Sequence, residues 1–268
     1  MSTLNDQQYL CEQQYKDSTH LRARIRFYAQ FSANPYGWSR WMFDQLDSVH
    51  GSRVLELGCG RGDLWAENRE RIPNSWNVLL SDFSPGMLAD AREHLGDFQS
   101  RFKFRLIDAQ AIPFDDAAFD VVIANHMLFH VPDRPSALSE IHRVLKPGGR
   151  LYASTTGASH LQELFDLVRQ FELAFLPFAA SNPFTLENGM PQLARWFEDV
   201  TVRRYDDSLA VTQAAPLVDF VLSSSSASVS GLSERREAFI GFVEREMAAR
   251  GGVIHIAKDS GLFIARRK

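Results

Sequence analysis

Apolar runs of strand length alternate with helix-patterned segments through the middle of the chain. Arg53-Val54-Leu55-Glu56-Leu57 is a short apolar run stopped by a glycine cluster, and residues 63–71 follow with a helical pattern. Residues 77–81 form a second run, after which Ser84-Pro85 places a capping serine before a proline suited to the first helical position. Residues 102–107 alternate, residues 119–124 are continuously apolar, and residues 135–145 read as a helix stopped by Lys146-Pro147-Gly148-Gly149. Residues 150–155 supply a fifth strand. Apolar strands alternating with helices predict a parallel sheet covered on both faces. In the last hundred residues, 200–205 and 262–267 read as strands, and 233–249 as a helix capped by Ser233. Residues 254–262 read as a hairpin turning at Asp259-Ser260-Gly261. The serine-rich stretch 223–230 reads as a loop.

At 268 residues, 45% hydrophobic and 23% charged, the chain is long enough for one large core without a metal or disulfide staple. Cys11 and Cys59 form no CxxC pair, which makes a disulfide framework or zinc knuckle improbable. The net charge of −4 disfavours a general nucleic-acid binder. No apolar run reaches the ~18 residues of a membrane span. The first residues carry Asp6, Glu12 and Asp17 in place of an apolar core, so the expectation is a cytoplasmic chain without a signal peptide.

The densest chemical signal is Val54-Leu55-Glu56-Leu57-Gly58-Cys59-Gly60-Arg61-Gly62, a glycine loop between a buried strand and a helix start. Such a loop lets a ligand approach the main chain, and the helix start offers free N–H groups. Asp82 ends the second strand and can accept both hydroxyls of a ribose, while Asp108 and Ala109 at the end of the third suit an adenine edge. The competing reading is that both aspartates only cap the next element. The spacing is GxGxG, not the GxGxxG of dinucleotide sites. Glu56 would be awkward beside a pyrophosphate, but can hold the turn or help neutralise a cation.

With these runs, Asp82-Phe83-Ser84-Pro85-Gly86-Met87-Leu88, Asp108-Ala109-Gln110-Ala111-Ile112-Pro113-Phe114, Phe119-Asp120-Val121-Val122 and Leu145-Lys146-Pro147-Gly148-Gly149-Arg150-Leu151, the chain resembles the class I S-adenosylmethionine-dependent methyltransferases. Within them it is most similar to the small-molecule, ubiquinone/menaquinone-type ("type 11") branch. The resemblance implies an α/β, Rossmann-like, seven-stranded, mostly parallel sheet with an antiparallel last strand. It implies S-adenosyl-L-methionine as cofactor and S-adenosyl-L-homocysteine as product. Gly58, Cys59 and Gly60 would face the methionine moiety, with Glu56 behind them. Asp82 would hold the ribose, Phe83 and Met87 would pack near the adenine, and Asp108, Ala109 and Gln110 would line its edge. Asn125 would lie near the methionine amino group.

Asn125-His126-Met127-Leu128 lacks the prolines of adenine methylases, which again disfavours nucleic acid as acceptor. His126 and His130 share a face if their turn is helical. They are readable as metal ligands, though no third ligand is apparent, as packing residues, or as a base or substrate orienter. Residues 18–43 hold Arg22, Arg24, Arg26 and Arg40 and no acid. They read either as a solvated basic helix or as a lid that brings Arg24 or Tyr28 near a carboxylate, with Tyr15 a further catalytic candidate. Trp38 and Trp41 read as an apolar wall or as anchors. The phenylalanines between strands five and six, Phe175 and Phe178 among them, read as core or as an acceptor pocket.

The expected organisation is a helical lid over 1–48 and a methyltransferase domain over 49–268. The latter has a cofactor core at 53–156, a substrate-side insertion near 160–195 and the serine-rich loop at 223–230. The expected partner is a small, apolar or aromatic methyl acceptor reacting through O, N, S or C. Neither a membrane nor a resident metal is expected, and the chain is read as a monomer or homodimer. A non-catalytic cofactor sensor or scaffold and an NAD-dependent oxidoreductase stand as alternatives.

Overall fold

The computed structural model describes residues 3–47, 51–175, 182–224 and 231–268. Seven strands form one sheet: β1 (Arg53–Leu57), β2 (Asn77–Asp82), β3 (Lys103–Leu106), β4 (Phe119–Ala124), β5 (Leu145–Thr156), β6 (Glu198–Val211) and β7 (Ile254–Arg266). Their order is β3-β2-β1-β4-β5-β7-β6, and β7 runs antiparallel to both its neighbours. The order reverses beside β1, which opens a crevice at the carboxyl ends of β1 and β4 where α/β sheets bind ligands.

Both sheet faces are covered. Leu55, Leu57, Val122, Ala124, Leu151 and Phe263 pack beneath α6 (Arg134–Val144) and α8 (Gly189–Leu193). Val54, Leu80, Val121, Ile123 and Tyr152 meet α3 (Trp38–Asp44), α4 (Asp63–Ala66) and α5 (Pro85–Leu95) on the other. The alternation of neighbouring residues between faces is the period of a strand. The helix after β1 is shorter than the 63–71 pattern, because Arg69–Arg71 tightens into a 3-10 turn. Ser84 caps α5 as its sequence predicts, its hydroxyl accepting the Met87 N–H at 3.3 Å.

A third core stands above the sheet's edge. It joins α2 (Thr19–Phe31), α7 (Gln162–Phe171), α9 (Ala214–Leu222) and α10 (Arg236–Ala249) to Leu209, Val211, Ile254 and Ile256 of the β6/β7 ribbon. The insertion expected after β5 holds α7 and α8, and α9 and α10 form a further one between β6 and β7. Ser233 lies inside a 3-10 turn and does not cap α10. The expected hairpin at Asp259-Ser260-Gly261 is absent, and β7 runs through it unbroken. Gly261 serves close packing there, since a Cβ would stand 2.7 Å from the Arg203 carbonyl on β6.

The N-terminal residues cross the crevice before α2. They begin with the short α1 (Gln7–Tyr9), and the Ser84 hydroxyl donates to the Tyr15 carbonyl at 2.7 Å. Ser18 N–H donates to Asp90 at 2.6 Å. Among the described residues no helix is long and apolar enough to cross a membrane.

Candidate cofactor and acceptor site

The glycine loop turns on positive φ at Gly58 (67°) and Gly60 (55°), a region that side-chain-bearing residues rarely enter. It is pinned from below, since Cys59 N–H donates to the Ser81 carbonyl at 2.8 Å and Gly60 N–H to Asp82 Oδ2 at 3.0 Å. Asp82 Oδ1 takes the Ser84 N–H at 3.0 Å. Burial pushes the Asp82 carboxyl up to about 6 against these N–H groups, which favour its charge. Phe83 is half-buried and Met87 buried, with the Met87 Cε reaching 3.8 Å from a Cβ position on Gly60. Burial also lifts the Cys59 thiol, so this cysteine contributes backbone and packing.

Glu56 is buried beneath the loop, where its Oε2 accepts the Trp65 indole N–H at 2.6 Å. Burial raises its carboxyl to about 8, with Asp82 and Asp63 adding to the rise. Its side chain therefore ties α4 to β1, the turn-holding role. Asp108 lies past the end of β3. Gln110 donates to it through backbone N–H (2.9 Å) and side-chain amide (3.0 Å), and Ala109 is buried beside it. A third donor comes from the far end of the chain, Gln7 Nε2 at 3.0 Å from Asp108 Oδ2. An amide N–H₂ thus stands where the sequence places an adenine amino group.

Asn125, at the end of β4, accepts Ser154 O–H (2.6 Å) and Trp38 indole N–H (3.2 Å) on Oδ1. The next residue departs from the sequence expectation. His126 has φ of 52°, a left-handed conformation for a non-glycine residue, held by its N–H donating to Ser154 Oγ at 2.9 Å. The chain therefore turns sharply, and His126 and His130 do not share a helical face. Such a strained residue at a strand end marks functional sites.

His126 packs on Trp38 with the rings tilted 45° and their centroids 4.9 Å apart, and lies near Lys258 of β7. His130 faces the N-terminal segment. Its Nδ1 lies 2.7 Å from the Leu4 carbonyl, which can only accept, so Nε2 is the acceptor for the Tyr15 hydroxyl at 2.9 Å. Burial depresses both imidazoles to about 4, so both are neutral at pH 7. Among the described residues no His, Cys, Asp or Glu cluster could hold a metal.

Arg24 of α2 sits beside this pair, its guanidinium 5.7 Å from the Tyr15 ring centroid. Its Nε and Nη2 are buried and have no hydrogen-bond partner. Unpaired buried donors are rare, and two on one cation point to a missing anion. Trp38 and Trp41 pack on each other and on Tyr205, beside Asn125 past the end of β4. Tyr28 is half-buried with its ring under the Lys258 ammonium. Phe175, read as core or as pocket, is buried against Phe165 in the core above the sheet. Phe178 lies outside the described residues.

The Gln7 clasp, the Ser154 hinge and the Lys258 surroundings have no local signal, because each joins positions 28 or more residues apart.

Comparison with known proteins decides what this crevice is for. A family described as a methyltransferase domain matches residues 55–153, the span from β1 through β5. The chain carries a class I S-adenosylmethionine-dependent methyltransferase domain. It is 37% identical over 115 residues to the ubiquinone/menaquinone biosynthesis C-methyltransferase UbiE of Xanthomonas oryzae pv. oryzae, covering 42% of this chain and 46% of that protein. With UbiE of Vibrio campbellii the figures are 33% over 142 residues, 52% and 55%. The chain thus spans about half the length of the curated relatives it matches.

Among solved structures, phosphoethanolamine N-methyltransferase 2 of Haemonchus contortus, bound to phosphomonomethylethanolamine and S-adenosylhomocysteine, aligns with a TM-score of 0.60 at 20% identity. That alignment covers 100% of this chain and 60% of that one. The [4+2]-cyclase SpnF aligns at 0.53 and 18%, covering 85% and 79%. Both share the fold. The cofactor of the methyltransferase domain is S-adenosylmethionine, and the residues fit it. The domain offers a buried carboxylate for a diol, a second for an amino edge, and an unpaired buried guanidinium for a carboxylate.

Proposed function

We propose that this chain transfers the methyl group of S-adenosylmethionine to a small, apolar or aromatic molecule, with carbon as the acceptor atom. The observation that carries the reading is the Asp82–Asp108 pair at the ends of β2 and β3 beside the glycine loop. The carbon acceptor is supported by the C-methyltransferases to which the domain is similar. Asp82 accepts the ribose hydroxyls, Asp108 takes the adenine amino group in place of the Gln7 amide, and Arg24 pairs the methionine carboxylate. Gly58, Gly60 and the Asn125 region bound the methionine chain.

Bound there, the cofactor supplies a methyl group on a positively charged sulfur, ready for in-line displacement. The protein's part is to align, to exclude water and to take a proton. Residues 4–31 act as a lid held by Tyr15 on His130 and Ser84 and by Ser18 on Asp90, with Gln7 on Asp108 closing it further when no cofactor is bound. Alignment in a dry site supplies much of such a rate. His126 takes the acceptor's proton on a ring nitrogen, being neutral and free of hydrogen bonds to its ring among the described residues. His130 is committed to Leu4 and Tyr15, and its role is to hold the lid.

Methyl release from labelled cofactor across an acceptor panel tests turnover. Calorimetry with S-adenosylmethionine, S-adenosylhomocysteine and NAD tests the cofactor. Binding of the first two with silent NAD, plus label in an organic product, is the expected result. Tight NAD binding without response to S-adenosylmethionine overturns the reading. Cofactor binding with no transfer to any acceptor favours the sensor or scaffold instead.

A further inference from the structure

Beyond the cofactor crevice lies a second buried polar group of residues, brought together from α2, β4, β6, β7 and the loop after β5. At its centre is Lys258. Its ammonium pairs with Asp207, lies 3.3 Å from Ser32 Oγ, and sits 4.4 Å from the Tyr28 ring centroid and 5.7 Å from that of Tyr205. The Lys258 side chain is 8% exposed and that of Asp207 0%. Asp207 is saturated by further donors, Ser32 O–H at 2.7 Å and Asn34 N–H at 3.0 Å. The ion pair is therefore closed on itself and leaves no net charge to offer a ligand.

Around it, hydrogen-bonding atoms remain unused. The Tyr205 hydroxyl is buried and has no acceptor. Asp259 N–H donates to His160 Nδ1 at 3.1 Å, which puts the ring proton on Nε2. That proton, the Tyr28 hydroxyl and the His126 ring have no partner among the described residues. His126 and His160 lie close enough to Lys258 to feel its charge, and burial keeps both imidazoles neutral. Aromatic rings wall the group: Trp38 is 5.5 Å from Tyr205 and 4.9 Å from His126, and Trp41 is 5.3 Å from Tyr205. Of the unused atoms, the Tyr205 hydroxyl is the one shut from solvent among the described residues, and native interiors seldom leave such a group unmatched unless something else meets it.

We propose that this group is the acceptor subsite, and that it selects an uncharged, flat molecule carrying a hydrogen-bonding oxygen held by the Tyr205 hydroxyl and His160 Nε2–H. A carboxylate there would lie beside Asp207, with Lys258 already paired and Arg24, the other cation near Tyr28, taken by the cofactor's carboxylate on the proposed reading. A cationic amine would lie beside Lys258. Both charged heads would also lose their water in an aromatic box that returns no counter-charge. Selection is thus made by rejecting charge as much as by holding oxygen. This rests on the proposed methyl transfer, since it places the acceptor next to the end of β4.

The test uses three probes of one shape, 2-naphthamide, 2-naphthoate and 2-naphthylmethylamine. Each is titrated into the full chain saturated with S-adenosylhomocysteine. The amide is expected to bind about tenfold or more tighter than either charged probe. Tyr205→Phe and, separately, His160→Gln each weaken the amide about tenfold, as loss of one buried hydrogen bond predicts. They leave naphthoate and S-adenosylhomocysteine affinities unchanged, so the amide-to-naphthoate ratio falls, which a purely structural role would not produce. Equal binding of the three probes, binding of none, or an unchanged ratio in both variants overturns the inference. Failure of S-adenosylhomocysteine itself to bind would instead overturn the proposed function.

Discussion

Replacing Arg24 with methionine keeps most of the apolar stem of the side chain and removes its charge. Two of its nitrogens are buried without partners, so the cofactor-free protein carries an unmet cost of about 1–3 kcal/mol for each. The variant without cofactor should be no less stable than the parent, and its melting temperature should rise by a few degrees. With cofactor the sign reverses. The lost hydrogen bonds to a carboxylate are worth roughly 3 kcal/mol together, about two decades in Kd. At a cofactor concentration near 100 times the parent's Kd, binding stabilises the parent by about 2.7 kcal/mol, and the variant by only about 0.4 kcal/mol. For a chain of this size that is a shift in Tm of roughly 5–11 °C against about 1 °C. Thermal unfolding with and without S-adenosylhomocysteine reads both effects in one experiment. If the variant melts earlier without ligand yet keeps the full ligand-induced shift, Arg24 is a packing residue and the argument from its unpaired nitrogens is wrong.

Asp82→Ala should raise the cofactor Kd by one to two decades in calorimetry, from roughly 1–3 kcal/mol of unpaired ribose hydroxyls. The Asp82 carboxyl sits near 6 in the free protein, and its charged form accepts the ribose. Affinity should therefore be flat above pH 7 and fall as pH drops through about 6, with the inflection absent in Asp82→Asn. Without cofactor the linkage runs oppositely, because a raised carboxyl stabilises the fold below about 4 and loses that contribution as pH rises through about 6. His126→Gln should cut turnover by about 10²–10⁴ with cofactor affinity unchanged, whereas His130→Gln should weaken cofactor binding through the lid. Equal kinetic losses in the two would refute the division of roles. Gly261→Ala should cost about 1–3 kcal/mol in urea unfolding, since its Cβ would meet the Arg203 carbonyl, and an unchanged midpoint would show that β6 moves aside freely.

Where the determinants are local, the sequence was readable in detail. Residues 119–124 are a strand with the predicted limits because a continuous apolar run has one stable place, between β1 and β5. Ser84-Pro85 starts a helix because the hydroxyl and the fixed φ act within one turn. Asp82 closes β2 and Asn125 follows β4 where the pattern puts them, because the length of each apolar run fixes the strand end. The errors share a cause as well. Asp259-Ser260-Gly261 has turn composition, but two flanking strands claim its backbone groups. The His126–His130 spacing looks helical, but Ser154, on a strand 28 positions on, sets the His126 backbone. Phe175 reads as core or as pocket because helical and aromatic composition cannot distinguish a lining residue from one buried in the core made by α9 and α10. The polar group around Lys258 has no sequence signature, because its members meet only after β6 and β7 pair.

The Gln7 amide and the adenine amino group cannot hold Asp108 Oδ2 in the same place at once. Cofactor exchange is thereby coupled to movement of the chain's first residues. On the proposed reading, entry requires the Gln7 clasp to open, the Tyr15 and Ser18 contacts close the segment over the sulfonium, and the demethylated product leaves only when they open again. On that reading each cycle carries a gating step whose rate depends on these few short contacts and not on the reactivity of the methyl group. A series of acceptors that differ widely in nucleophilicity would then turn over at one common ceiling, set by the loosening of the first thirty residues.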